Sequence, residues 1–168
     1  MNVMRRIEVE KVTVNMGVGQ AGEELEKAIT ILNSITSAKP VKTISKIRQP
    51  TWGIRLGLTI GTKTTLRKDK AEKFLKEALA AKDNAIESKN FDNQGNFGFG
   101  IREHIDLAKV KYDPKLGIRG FDVLVTLKRP GYRVKRRKID KRRIPLKHVI
   151  PREEAIEFVK QKFGVVVE

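Results

Sequence analysis

The sequence predicts an α+β fold: a single domain over 1–168, with a mostly antiparallel sheet, helices packed against it and a basic arm at 128–152. Three observations predict it. Residues 7–16, 54–66 and 121–127 alternate apolar and polar side chains, the period of a half-buried strand. Two stretches repeat apolar residues at helical spacing. Strands and helices mix without a regular strand–helix–strand rhythm, which favours antiparallel pairing.

Taken in order, Ile7 to Met16 reads as the first strand, and Gly17 to Gly22 as a turn. Leu25, Ala28, Ile29, Leu32 and Ile35 place one apolar stripe on a helix of about residues 23–37, closed off by Pro40. Val41 to Ser45 is a short strand, and Lys46 to Gly53 a basic loop with the chain's one Trp. Ile54 to Leu66 alternates again and ends in Thr62, Thr64 and Thr65. Asp69 with Glu72 resembles a capping box. It opens a second helix with Ala71, Phe74, Leu75, Ala78 and Leu79 on one face. Residues 87–100 are rich in Asn and Gly and read as a loop, though Phe91, Phe97 and Phe99 lie within it. Phe121 to Leu127 is a strand. Pro151 starts a last helix, with Ala155, Ile156, Val159 and Phe163 facing inward. Gly164 ends it, and Val165 to Val167 is a closing strand.

A chain of 168 residues is long enough to bury an ordinary core without staples. With no cysteine there is neither a disulfide framework nor a thiolate site, which suits a reducing compartment. No run approaches the ~18 apolar residues of a membrane span. The start has no apolar signal core, so a cytoplasmic location is expected.

Charge is the strongest compositional signal. Lys plus Arg number 36 against 20 acids, a formal net charge of +16. Such a surface attracts polyanions: nucleic acid first, an acidic membrane surface second. The arm from Lys128 to Arg152 holds twelve cations and one acid, Asp140, and so carries +11 of the total. Its guanidinium groups, among them Arg133, Arg136, Arg137, Arg142 and Arg143, suit bidentate phosphate contact. A merely solvated face would have acids interspersed. In the loop, Lys46, Arg48, Gln49, Pro50, Thr51 and Trp52 form a basic, Pro-containing turn. There Trp52 either stacks on a splayed base or folds back over the core.

Catalytic signals are thin, and no catalytic residue, metal ligand set or cofactor is expected. Gly17-x-Gly19-x-x-Gly22 follows a strand and opens a helix, where a dinucleotide fingerprint sits. The acid that fingerprint needs is missing, since residues 28–67 contain none. Lys39, Lys42 and Lys46 stand there instead, which leaves a phosphorylated dinucleotide open beside the plain reading of a glycine turn. His104 and His148 are too few for a metal site. Phe97 and Phe99 share one face if extended and fit the core or a stacking platform.

Several ordered motifs resemble a known family. They are Val14-Asn15-Met16-Gly17-Val18-Gly19, Lys39-Pro40-Val41 and Ile60-Gly61-x-Lys63-x-Thr65-Leu66-Arg67. Asn90-Phe91 followed by Gly95 to Ile105, Tyr112-Asp113-Pro114 and Arg129-Pro130-Gly131 complete the series. Together they look like the fifth-protein family of the large ribosomal subunit, in its archaeal form, over nearly the whole chain. The resemblance implies a non-enzymatic protein that binds 5S ribosomal RNA and helps form the central protuberance. Its implied partners are large-subunit ribosomal RNA, transfer RNA in the P site and a neighbouring 5S-binding protein of the eighteenth-protein family. It also implies that Asn15, Thr43, Thr65 and Arg67 lie on the 5S-facing sheet surface, where Lys42 is a further candidate, and that the 46–53 loop faces transfer RNA. The basic arm departs from the bacterial pattern, so its RNA partner is not inherited from bacterial members. Thr65 and Arg67 share one face of an extended strand in any case. The remaining alternatives are an NADP-binding enzyme using Gly17, Gly19 and Gly22, and a non-ribosomal RNA chaperone.

Overall fold

The computed structural model describes residues 2–107 and 112–167. Five strands form the main sheet: β1 (Glu8–Gly17), β2 (Val41–Ile44), β3 (Thr59–Leu66), β5 (Phe97–Ile101) and β6 (Phe121–Lys128), in the order β2-β3-β1-β6-β5. All four of its ladders are antiparallel. β4 (Ala85–Ile86) and β7 (Val166–Val167) make a separate two-stranded parallel pair. The helices are α1 (Glu23–Thr36), α2 (Lys68–Ala80), the single turn α3 (Arg133–Arg136) and α4 (Arg152–Phe163). The α+β architecture with a mostly antiparallel sheet is therefore as the sequence predicts.

β1 is the central strand, and its alternation sets the layers. Val12, Val14 and Met16 are buried and join Ala28, Ile31 and Leu32 of α1 and Leu75, Ala78 and Leu79 of α2 in one core. Each Val, Leu, Ile or Met side chain among them contributes about 1.5–3 kcal/mol on burial. Thr62 and Thr64 of β3 also face this side and are buried. Phe97 and Phe99 of β5 and Val123, Val125 and Leu127 of β6 complete it from the other edge, with Ala155 and Val159 of α4.

Several local expectations change. The alternation from Ile54 does not make a strand until Thr59: Ile54 pairs only with Gln49, and Gly57 turns the chain with φ 81°. The end of the stretch 87–100, read as loop because of its glycines, lies instead in edge strand β5 (Phe97–Ile101). Gly98 and Gly100 lie in register with Leu124 and Asp122, and a Cβ on Gly98 would come within 2.8 Å of Leu124 Cδ2. Phe97 and Phe99 are thus core residues, and Phe97 stacks on Phe91 at 4.9 Å between ring centroids. Asp69 is no cap. It lies inside the first turn of α2, whose N-cap position is Arg67 and has no side-chain cap hydrogen bond. Pro151 is the residue before α4, and Gly164 ends that helix with φ 67° as expected. The closing strand β7 finds its partner in β4, which alternation is too short to reveal.

On α1 the buried face is Leu25, Ala28, Ile31, Leu32 and Thr36, so Ile31 replaces Ile29 in the stripe. Ile31→Ala is expected to lower stability to urea by about 2–5 kcal/mol. Ile29→Ala, at a half-exposed position, should cost clearly less. Equal losses would contradict the facing of this helix.

Candidate nucleic-acid interface

Helices α1 and α2 cover one face of the sheet, and the other face carries polar side chains on β1 and β3 together with exposed Val41 and Leu124. Two rows cross it. In one, Val41, Lys63, Asn15, Asp122 and Gly100 stand side by side on β2, β3, β1, β6 and β5. In the next, Thr65, Thr13, Leu124 and Gly98 do so. Lys63, Thr65, Asp122, Leu124 and Gly100 are exposed, and Asn15 and Thr13 partly so. At one end Thr43 faces Gly61, whose Cβ would fall 2.9 Å from Thr43 Oγ1 and from the Met16 carbonyl, so only glycine fits. Threonine hydroxyls, an amide and a lysine on a low pleated surface suit contact with sugar hydroxyls and phosphates.

Asn15, Thr43 and Thr65 thus share one face, and Arg67 follows Thr65 just past the end of β3 with its side chain 58% exposed. Lys42 does not join them. It lies opposite inward-facing Thr62, and its ammonium pairs with Glu26 of α1 at 2.5 Å. Alternation along a strand as short as β2 puts neighbours on opposite faces. Sequence reasoning passed over Lys63 and Thr13 as site residues. Period two counted from Thr65 and Asn15 would have found both.

The β2–β3 loop is a tight hairpin. Gln49 and Ile54 exchange two backbone hydrogen bonds at 2.8 and 3.0 Å, and Pro50 to Trp52 form a 3-10 turn ended by Gly53. Lys46, Arg48, Gln49, Pro50, Thr51 and Trp52 are all exposed. Trp52 is 72% exposed, so it is no lid on the core; Ile47 and Leu56 are equally bare. Large apolar groups grouped on a basic loop mark a contact surface.

The basic segment is tied down at both ends. Arg129 is only 3% exposed; its Nη1 donates to the carbonyls of His148 and Val149, and its Nη2 pairs with Glu154 of α4. The Tyr132 hydroxyl donates to the His148 carbonyl and accepts from the Ile150 amide at 3.1 Å. A His148 ring nitrogen lies 2.9 Å from the Pro130 carbonyl. Arg152 donates to Ser88 Oγ at 2.8 Å. Arg129 and Arg152 are therefore internal braces, and the arm is a strap across the body. Between the braces Asp140 holds Arg137 at 3.0 Å and Arg142 at 3.3 Å. Arg133 and Arg143 are exposed with no ion pair among the described residues, and Arg136 meets Glu10 of β1.

The glycine series does not make a dinucleotide site. That fingerprint needs a parallel strand–helix–strand unit, whereas both neighbours of β1 are antiparallel. The first turn of α1 also carries Glu23, Glu24 and Glu26, which would repel phosphate. Gly22, with φ 113°, makes the corner into the helix. His104 is buried and accepts from the Arg119 amide through Nδ1. Among the described residues no cluster could hold a metal ion, and no helix is long and apolar enough to cross a membrane.

The profile of the C-terminal part of the ribosomal L5 family matches residues 59–164, and that of ribosomal protein L5 matches residues 2–55. The chain belongs to the ribosomal protein L5 family. It is 49% identical over 168 residues to the large ribosomal subunit protein uL5 of Sulfurisphaera tokodaii, covering 99% of this chain and 95% of that one. The uL5 proteins of Methanococcus aeolicus and Methanosphaera stadtmanae are 48% and 43% identical, covering 98% and 100% of this chain and 93% and 100% of theirs. The two matched stretches of the L5 family meet in the exposed hairpin loop, yet β1 and β2 from the first pair with β3 and β6 from the second. Neither stretch builds the polar face alone.

Burial pushes the Tyr132 hydroxyl above its usual pKa of 10, against the opposing effects of its hydrogen bond from Ile150 and the nearby Arg129. The unfolded chain, whose tyrosine titrates near 10, therefore loses this proton first as pH rises. Stability should be fully present below about pH 10 and fall as pH climbs through the raised folded value. Tyr132→Phe should remove that part of the alkaline decline in a pH series of urea unfolding curves. An unchanged decline would contradict the burial of this phenol.

Proposed function

We propose that this L5-family protein is a structural constituent of the large ribosomal subunit that binds 5S ribosomal RNA on the uncovered face of its sheet. The observation that carries this reading is the pair of polar rows across β3 and β1, Lys63 with Asn15 and Thr65 with Thr13. The family supplies the ribosomal setting, and these side chains supply chemistry suited to sugars and phosphates. On this reading the face and the basic strap with Arg133, Arg136, Arg137, Arg142 and Arg143 meet ribosomal RNA together. The chain acts as one domain, cytoplasmic with the ribosome, helping to form the central protuberance beside a 5S-binding protein of the eighteenth-protein family. The exposed hairpin with Lys46, Arg48 and Trp52 contacts P-site transfer RNA, where the Trp52 ring is free to pack on a sugar or a base.

Binding of the purified protein to 5S ribosomal RNA, measured at two salt concentrations with an unrelated hairpin of equal length as competitor, tests the main claim. Tight binding should survive the competitor and weaken steeply with salt. Binding that the competitor abolishes would leave only a non-specific cation. Arg67→Ala should cost about 1–3 kcal/mol of 5S affinity, as for the loss of a charged hydrogen bond. Lys42→Ala, on the helix-covered side, should cost little. Trp52→Ala should leave 5S affinity unchanged and weaken transfer-RNA binding to reconstituted large subunits. A loss of 5S affinity instead would put the hairpin on the wrong partner. A non-ribosomal chaperone would wash off large subunits in high salt, whereas a subunit protein stays.

A further inference from the structure

A cleft of about 420 Å³ opens where the end of β3, the start of α2 and the strap come together. Six of its ten lining residues are Lys or Arg, and one, Glu10, is acidic. Glu10 is where it is because of a β-bulge. Val9 pairs with Leu127 and Lys11 with Thr126, so Glu10 is the extra residue between them. A bulge of this kind re-aims the side chain it carries. Here the side chain is only 8% exposed, and its Oε1 meets Nη1 of Arg67 at 3.6 Å and Nη1 of Arg136. Oε2 is buried with no hydrogen-bond partner. A carboxylate drawn this far out of water needs compensating charge, and two guanidinium groups supply it.

The arrangement leaves cationic capacity in excess. Each guanidinium has five N–H donors, and Glu10 meets one nitrogen of each, on side chains that remain 58% and 47% exposed. Arg133, exposed and without an ion pair among the described residues, and Lys68 line the same cleft. Arg129 also lines it but is committed to Glu154. Guanidinium forks match phosphate oxygens in pairs. Without the carboxylate between them, Arg67 and Arg136, which come from separate elements, would repel each other.

We infer that this cleft takes a phosphodiester of the RNA backbone, held by Arg67, Arg136 and Arg133, and that Glu10 is the positioning residue that sets the first two. The inference rests on the RNA-binding reading above and adds to it a defined phosphate site at the joint between sheet and strap. Glu10 does not touch the phosphate. It converts two mobile cations on separate elements into one preorganised fork.

The test turns on a sign. Glu10→Gln raises the formal net charge of +16 by one unit, so charge alone would tighten binding to any RNA. Positioning predicts the reverse. Affinity of the full chain for 5S ribosomal RNA should fall about tenfold, the scale of one charge-assisted contact, and Glu10→Asp should recover part of it. Circular dichroism and thermal melting would check that each variant is folded. Arg136→Ala, made beside an intact Glu10, gives a second reading: the slope of log affinity against log salt should shrink by about 0.7–0.9, the loss of one phosphate contact. A folded Glu10→Gln variant that binds as tightly as the parent, or an Arg136→Ala variant with an unchanged slope, would overturn the site. Parent protein that fails to prefer 5S RNA over the hairpin would instead overturn the underlying RNA reading.

Discussion

Burial of Val12, Val14 and Met16 against α1 and α2 is the constraint on which the rest of the structure depends. β1 lies in the middle of the sheet, so its inward residues fix the register of β3 on one side and β6 on the other. A slip of one residue would turn every buried side chain of β1 outward and bring Thr13 and Asn15 into the core. The polar face is the obligatory counterpart of that core. Because α1 and α2 pack on the same side, the opposite side offers Lys63 and Thr65, which are exposed, and Asn15 and Thr13, which are partly so. The core and the exposed polar face are therefore two sides of one alternation.

The basic segment is held by a different physics. A guanidinium as deeply buried as that of Arg129 is tolerable only when paired and hydrogen-bonded. Two carbonyls of the returning chain take its Nη1 and the carboxylate of Glu154 its Nη2, while Nε is left without a hydrogen-bond partner. Tyr132 and His148 then fasten the two ends of the strap to each other. A long run of like charges would by itself favour an extended, disordered chain. Here a few of those charges are used inward, and the others are carried on a structured surface. RNA meeting such a surface would pay less ordering entropy than RNA meeting a free tail.

Much of this was legible in the sequence. The alternation of β1 and β6, the helical stripes and the cation excess follow from local patterns with strong periods. The glycines of β5 hid a strand, because glycine signals turns unless a neighbour packs closely, as Leu124 does against Gly98. Periodicity does not separate Ile31 from Ile29, because both lie near the stripe and only packing decides between them. Lys42 and Thr43 are adjacent, and which of them faces outward depends on pairing with β3. Arg129, Glu154 and the Glu10 bulge were beyond reach, since each depends on contacts between residues far apart in the chain. The family motifs point to Asn15, Thr65 and Arg67, and Lys63 lies inside the same motif, where period two along the strand already puts it on the face of Thr65.

Whether RNA sits on the uncovered sheet face is decided by lysine-reactive footprinting of the free protein and of its complex with 5S ribosomal RNA. Lys63 is exposed on that face, whereas Lys70, Lys73 and Lys76 are exposed on α2, whose buried side covers the other face. RNA bound on the uncovered face should protect Lys63 from modification and leave the three α2 lysines as reactive as before. Protection of the α2 lysines with Lys63 unchanged would place the RNA on the helical side and contradict binding on the uncovered face.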